Sequence, residues 1–161
     1  MKYPIGIQSF ETIIEDGYVY IDKTALVYDL VHNGQVYFLC RPRRFGKSLL
    51  VSTLKCYFEG RKDLFEGLAI ADYEKEWAKH PVLHFDMRGA KHFDADSLNQ
   101  YLDWILKPYE EEYGLTPRNG TPNTRMADVV KTAFRQTGQK VAVIGGGPSG
   151  LSCAYYLALM G

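Results

Sequence analysis

The chain of 161 residues is expected to form an α/β fold, a parallel sheet flanked by helices. Three observations point there. Short apolar runs, VYFLC at 36–40, VLHFD at 82–86 and VAVI at 141–144, are bounded by turn residues, as buried strands are. Between them lie segments with apolar residues every three or four positions, the helical period. The two patterns alternate along the chain, and a parallel sheet needs that order because each return crossover is made by a helix.

In chain order, an aromatic, turn-rich opening leads to a helix over 22–34. Asp22 is its candidate N-cap, Leu26, Val27, Leu30 and Val31 form its apolar stripe, and Gly34 ends it. A short buried strand over 36–40 runs into the loop RPRRFGK and then an apolar helix over 48–59, closed by Gly60. A further helix is expected over 70–80, carrying Trp77 and broken by Pro81, before the strand over 82–86. Residues 97–113 read as a long amphipathic helix built on Leu98, Tyr101, Leu102, Ile105 and Leu106, kinked or split by Pro108. Residues 114–123 read as a loop, 124–137 as a helix capped by Gly138, and 141–144 as the last strand, followed by a glycine turn and a final helix.

Composition narrows the functional classes. Hydrophobic residues make up 46% of the chain and 19 basic residues balance 19 acidic ones, so intrinsic disorder is not expected. The same balance argues against a protein that coats nucleic acid, whose footprint is a basic excess. The three cysteines, Cys40, Cys56 and Cys153, form no CxxC pair, and each lies in an apolar run, where a cysteine packs as a small buried hydrophobe. No leader-like apolar stretch opens the chain, and a reducing, cytoplasmic setting is expected. Residues 141–161 carry no charge, but GGGPSG interrupts them, so a turn and a buried helix are expected there in place of a membrane span.

The first motif that carries chemistry is RPRRFGKS, residues 41–48, between a strand and a helix. A loop in that position wraps phosphates with backbone N–H groups at a helix N-terminus, where the helix dipole favours anions. Lys47 would reach the β- and γ-phosphates, the Ser48 hydroxyl would ligate Mg2+, and Gly46 lets the backbone approach closely. Arg43 and Arg44 add guanidinium groups that would brace a triphosphate or else pair with surface carboxylates. The nucleotide contacts are therefore sought among Arg41, Pro42, Arg43, Arg44, Phe45, Gly46, Lys47, Ser48 and Leu49. The pattern GxxxxGK[ST] has its first glycine where this chain has Arg41.

Together, YIDKT at 20–24, RPRRFGKS at 41–48 and YFEG at 57–60 make the chain resemble the AAA-ATPase-like family of bacterial and archaeal proteins, over roughly residues 3–140. That family has arginine at the position of Arg41. The resemblance implies a P-loop NTPase-like fold, ATP and Mg2+ as ligands, and Lys47 and Ser48 as their contacts. It also implies an acidic pair on the strand that follows a Thr-Gly turn. Thr137 and Gly138 supply such a turn, yet VAVIGGGPSG follows without an acid, so the sheet reads as incomplete at its C-terminal end. Asp86, at the end of VLHFD, is the remaining weak candidate for a catalytic Mg2+ carboxylate.

The second motif is GxGxxG, formed by Gly145, Gly147 and Gly150. With its flanking strand and helix it resembles the N-terminal dinucleotide-binding turn of FAD/NAD(P)-dependent oxidoreductases of the glutamate synthase small-subunit type, over about 137–161. The acid that such a fingerprint needs about 20 residues further on is missing, because only 11 residues follow Gly150. FAD or NAD is not expected as a cofactor. Residues 1–140 thus read as a P-loop region and 141–161 as one βα unit packed on the same core, with a join between two gene pieces near 137–141. His80, His84 and His92, near Asp86 and Asp94, have irregular spacing and read as surface and core histidines.

The leading expectation is an ATP- and Mg2+-binding protein whose hydrolysis is weak or absent. The alternatives are a dinucleotide-binding fragment of an oxidoreductase, and a non-catalytic interaction module or truncated chimeric product. A nucleotide is the expected partner, with no membrane and no nucleic acid.

Overall fold

A computed structural model of the chain describes residues 1–34, 36–37, 39–40, 42, 44–86, 95–116, 120–138 and 140–145. The chain divides into two compact units, Met1–Lys79 and His80–Gly161.

The first unit is helical. Helix α1 (Phe10–Glu15) starts because Ser9, in extended backbone, accepts the Thr12 N–H on its hydroxyl. Helix α2 (Thr24–Asn33) starts one residue later than the sequence suggests: Lys23 is the N-cap residue, and Asp22 before it takes the Thr24 N–H at 2.8 Å on its carboxylate. Helix α3 (Lys47–Phe58) closes in a Schellman turn, with Gly60 at φ 71°, the Gly60 N–H on the Tyr57 carbonyl and the Arg61 N–H on the Cys56 carbonyl. A 3-10 turn, Lys62–Phe65, and the short helix α4 (Ile70–Tyr73) follow. The core between these elements is Phe10, Val27, Cys56, Tyr57, Leu64, Phe65 and Ile70.

Two expectations fail in this unit. The helix over 70–80 stops at Tyr73, because Glu74 turns extended and its carboxylate takes the Glu76 N–H, a donor that a continuing helix would use. Trp77 then lies in left-handed backbone at φ 46°. The buried strand over 36–40 is also absent among the described residues: Val36, Tyr37, Leu39 and Cys40 are exposed. Among the described residues the named strands all belong to the second unit. Cys56 is buried as expected, Cys40 is not, and Cys153 lies outside the described residues.

The second unit holds a two-stranded parallel sheet, β1 (Val82–Phe85) with β2 (Ala142–Gly145), in the register Val82↔Ala142 to Phe85↔Gly145. The mixture of helices with a parallel pair agrees with an α/β class. Helices α5 (Ala95–Glu112) and α6 (Pro122–Thr137) pack on each other, and Leu83, Phe85, Ile105, Leu106 and Val129 form the core. Pro122 opens α6 at a position where its missing N–H costs nothing, and Gly138 ends it in left-handed backbone. Pro108 does not split α5. The buried residues Ile105, Leu106 and Glu110 lie on both sides of it, and their packing holds one helix across the lost bond. The Tyr109 hydroxyl on α5 accepts the His84 N–H at 2.9 Å and donates to the His84 carbonyl at 3.3 Å, which satisfies the polar backbone of β1 at that residue.

The glycine turn after β2 and the helix expected beyond it lie outside the described residues.

Candidate functional site

The candidate phosphate loop enters α3 through alternating backbone. Arg44 has φ 66° and Gly46 has φ 73°. A non-glycine residue in the left-handed region costs roughly 1 kcal/mol or more. Gly46 occupies it without that cost, and a Cβ built there would meet nothing within 4 Å. Gly46 is also the N-cap of α3 and has no side chain to satisfy the first helical N–H groups. The first turn of α3 contains no acid. The positive end of the helix dipole therefore lies on an exposed, glycine-opened turn without a side-chain cap.

Lys47 folds back over this turn and donates from Nζ to the Pro42 carbonyl at 2.9 Å. Arg44 and Phe45 are exposed. Among the described residues no carboxylate pairs with Arg44, whereas Arg61 and Arg125 are both engaged: Arg61 by Glu11, Glu15 and Asp63, Arg125 by Asp103 and Glu110. Ser48 and Leu49 lie in the first turn, half-buried. Arg41 and Arg43 lie outside the described residues.

Behind its first turn α3 is tightly held. The Ser52 hydroxyl accepts the Phe10 N–H at 2.9 Å. The Tyr57 hydroxyl donates to the buried Glu74 carboxylate. Burial pushes the Tyr57 phenol well up, and the bond to Glu74 adds to it. Burial also raises Glu74, but the Tyr57 hydroxyl, the Glu76 and Trp77 N–H groups and nearby His32 outweigh it and hold the carboxyl below its ordinary range. These contacts span 42 and 17 residues of sequence and left no local signal; only YFEG, which contains Tyr57, marked the region.

The YIDKT segment also receives a structural role. Asp22 accepts from the Thr24 N–H, the Thr24 hydroxyl and, at 2.7 Å, the Ala69 N–H. Thr24, fully buried, accepts the Ile70 N–H at 3.0 Å. The pair ties the start of α2 to the start of α4.

Asp86 lies in the other unit, directly after β1, and its backbone carbonyl accepts the Tyr101 hydroxyl at 2.6 Å. Strand β2 ends at Gly145 with no acid, and Gly147 and Gly150 lie outside the described residues, as do His92 and Asp94. The described residues contain no group of three His, Cys, Asp or Glu side chains placed to hold a metal ion, and no helix long and apolar enough to cross a membrane.

The family model described as "Predicted AAA-ATPase" matches residues 4–145. An uncharacterized protein in the vnfD 5' region of Azotobacter chroococcum mcd 1 is 38% identical over 145 residues, which cover 89% of this chain and 28% of that relative. The chain thus spans little more than a quarter of the relative's length. No solved structure matches the chain.

Proposed function

Because the chain belongs to the predicted AAA-ATPase family, we propose that the loop at 41–48 and the N-terminus of α3 bind the phosphates of ATP with Mg2+ in a P-loop NTPase-like arrangement. The observation that carries this reading is the start of α3, opened by Gly46 and without a side-chain cap, with the Lys47 ammonium lying across it. ATP would take the Lys47 ammonium from the Pro42 carbonyl onto its β- and γ-phosphates. The Ser48 hydroxyl would hold Mg2+, and Arg44, which no described carboxylate neutralises, would add a second cation. The open space beside Gly46 fits close approach by phosphate oxygens.

Hydrolysis is weak or absent in this reading. A P-loop ATPase needs a carboxylate at a strand end for Mg2+, and β2 ends in glycine.

The test is thermal unfolding with and without Mg-ATP on the wild type and on Lys47→Ala. Ligand at 100 times Kd stabilises by about 2.7 kcal/mol, on the order of 5–10 °C for a chain of this size. The shift is expected in the wild type and not in Lys47→Ala. Equal shifts in both, or none in the wild type, would refute the reading.

A further inference from the structure

We propose that Tyr57 and Ser52 are positioning residues that set the tilt of α3 and thereby place Lys47 and Ser48; this rests on the phosphate-binding reading above. The loop itself is exposed from Arg44 to Gly46, so the place of Lys47 relative to the body of the unit is set by the helix that carries it. A helix rises about 1.5 Å per residue, so Ser52 lies about 7.5 Å beyond Lys47 and Tyr57 about 15 Å beyond it. Ser52 is pinned midway by the Phe10 N–H, and Phe10 is itself fully buried at the start of α1. Tyr57 is pinned at the far end by Glu74, whose other oxygen takes the Glu76 N–H at 2.9 Å.

Two fixed points on a rod define its direction. With Ser52 as the pivot, the lever arms to Lys47 and Tyr57 are equal, so a displacement released at Tyr57 returns at Lys47 at about the same size. Phosphate recognition through converging N–H groups and one ammonium depends on their placement; in catalysis a misplacement of about 1 Å arising far from a site costs up to ~100-fold in rate, and a smaller loss is expected for binding. The buried pair therefore acts on the loop through geometry, without touching the ligand.

The experiment measures Kd for Mg-ATP by titration calorimetry, well below every melting temperature. The proteins are the wild type, Lys47→Ala, Tyr57→Phe, Glu74→Ala, Glu74→Gln and Ser52→Ala. Tyr57→Phe keeps the ring and loses only the hydroxyl. Glu74→Gln can keep both contacts, its amide oxygen taking the Glu76 N–H and its amide N–H meeting the Tyr57 oxygen. Tyr57→Phe and Glu74→Ala are expected to weaken binding about tenfold, with Glu74→Gln close to the wild type. If Tyr57→Phe melts earlier but binds as the wild type does, the pair is structural only and the proposal is wrong. If Tyr57→Phe does not fold, Ser52→Ala decides in the same way, and unchanged affinity there overturns the proposal. A wild type that does not bind Mg-ATP, or binds no better than Lys47→Ala, refutes the phosphate-binding reading and the proposal falls with it.

Discussion

Removing Arg125 should unfold much of the second unit. Its guanidinium meets Glu110 with two parallel bonds of 2.7 Å, from Nε and Nη2, and Nη1 also reaches Asp103. Glu110 is 3% exposed, so without Arg125 its charge has neither partner nor water. Breaking one side of such a buried pair costs about 3–5 kcal/mol. The melting temperature of a chain of this size shifts by roughly 2–4 °C per kcal/mol, so Arg125→Met should lower the transition by roughly 6–20 °C. Replacing both partners, as in Arg125→Met with Glu110→Leu, should restore stability to within about 1–2 kcal/mol, because the stranded charge is gone. Asp103 is half-exposed and remains solvated by water. Thermal melts followed by circular dichroism measure both variants. The pH dependence adds a second arm. The Arg125 hydrogen bonds hold Glu110 below its ordinary value of 4.5, so the wild-type contribution is present above that value and is lost as pH falls through the lowered one. In Arg125→Met only burial acts on Glu110, and the variant should gain stability as pH falls. A single variant within 1 kcal/mol of the wild type, or a double variant as unstable as the single, would refute the reasoning.

Further outcomes follow from the first unit. Asp22→Ala removes acceptors for the Thr24 and Ala69 N–H groups and should cost about 1–2 kcal/mol in urea unfolding; Asp22→Asn, which keeps an acceptor oxygen, should cost less. Gly60→Ala places a Cβ 3.1 Å from the Trp77 carbonyl at φ 71° and should cost about 1–2 kcal/mol, read as a lower melting temperature. Asp22 and Glu74 are both held below their ordinary values, burial in each case being outweighed by hydrogen bonds. Their contribution is therefore complete above the unfolded carboxylate range and is lost as pH drops through the lowered values. An acid titration followed by circular dichroism should show Asp22→Ala losing less stability than the wild type between about pH 5 and pH 2.

Local chemistry made several elements legible. Gly60 and Gly138 end α3 and α6 in left-handed backbone, each within a turn of its place in the sequence; the start of α1 behind Ser9 and of α6 at Pro122 went unread, although both signals are local. The strand over 82–86 and the last apolar run also pair as parallel strands, because buried strands are marked by their composition. Where the local pattern failed, a distant partner had prevailed. Helix α4 stops at Tyr73 because Glu74 is claimed by Tyr57, 17 residues earlier. Helix α5 continues through Pro108 because buried residues flank the break. The apolar run VYFLC has strand composition, but its described residues are exposed and unpaired in a ladder, and a strand forms only where another strand offers its edge.

By itself, then, the amino-acid sequence determined the two apolar runs that pair as strands, the glycines that end α3 and α6, the family, and the loop at 41–48 as the place to look for phosphate chemistry. Each of these is encoded in side chains a few positions apart. Only the tertiary structure decided that the chain folds as two units, that Lys47 rests on the Pro42 carbonyl, that Asp22 and Thr24 join α2 to α4, and that Glu74 and Glu110 are buried charges held by Tyr57 and Arg125. The reason is physical. A cap satisfies backbone groups within its own turn, whereas a buried carboxylate is stable only where folding brings a donor to it from elsewhere in the chain.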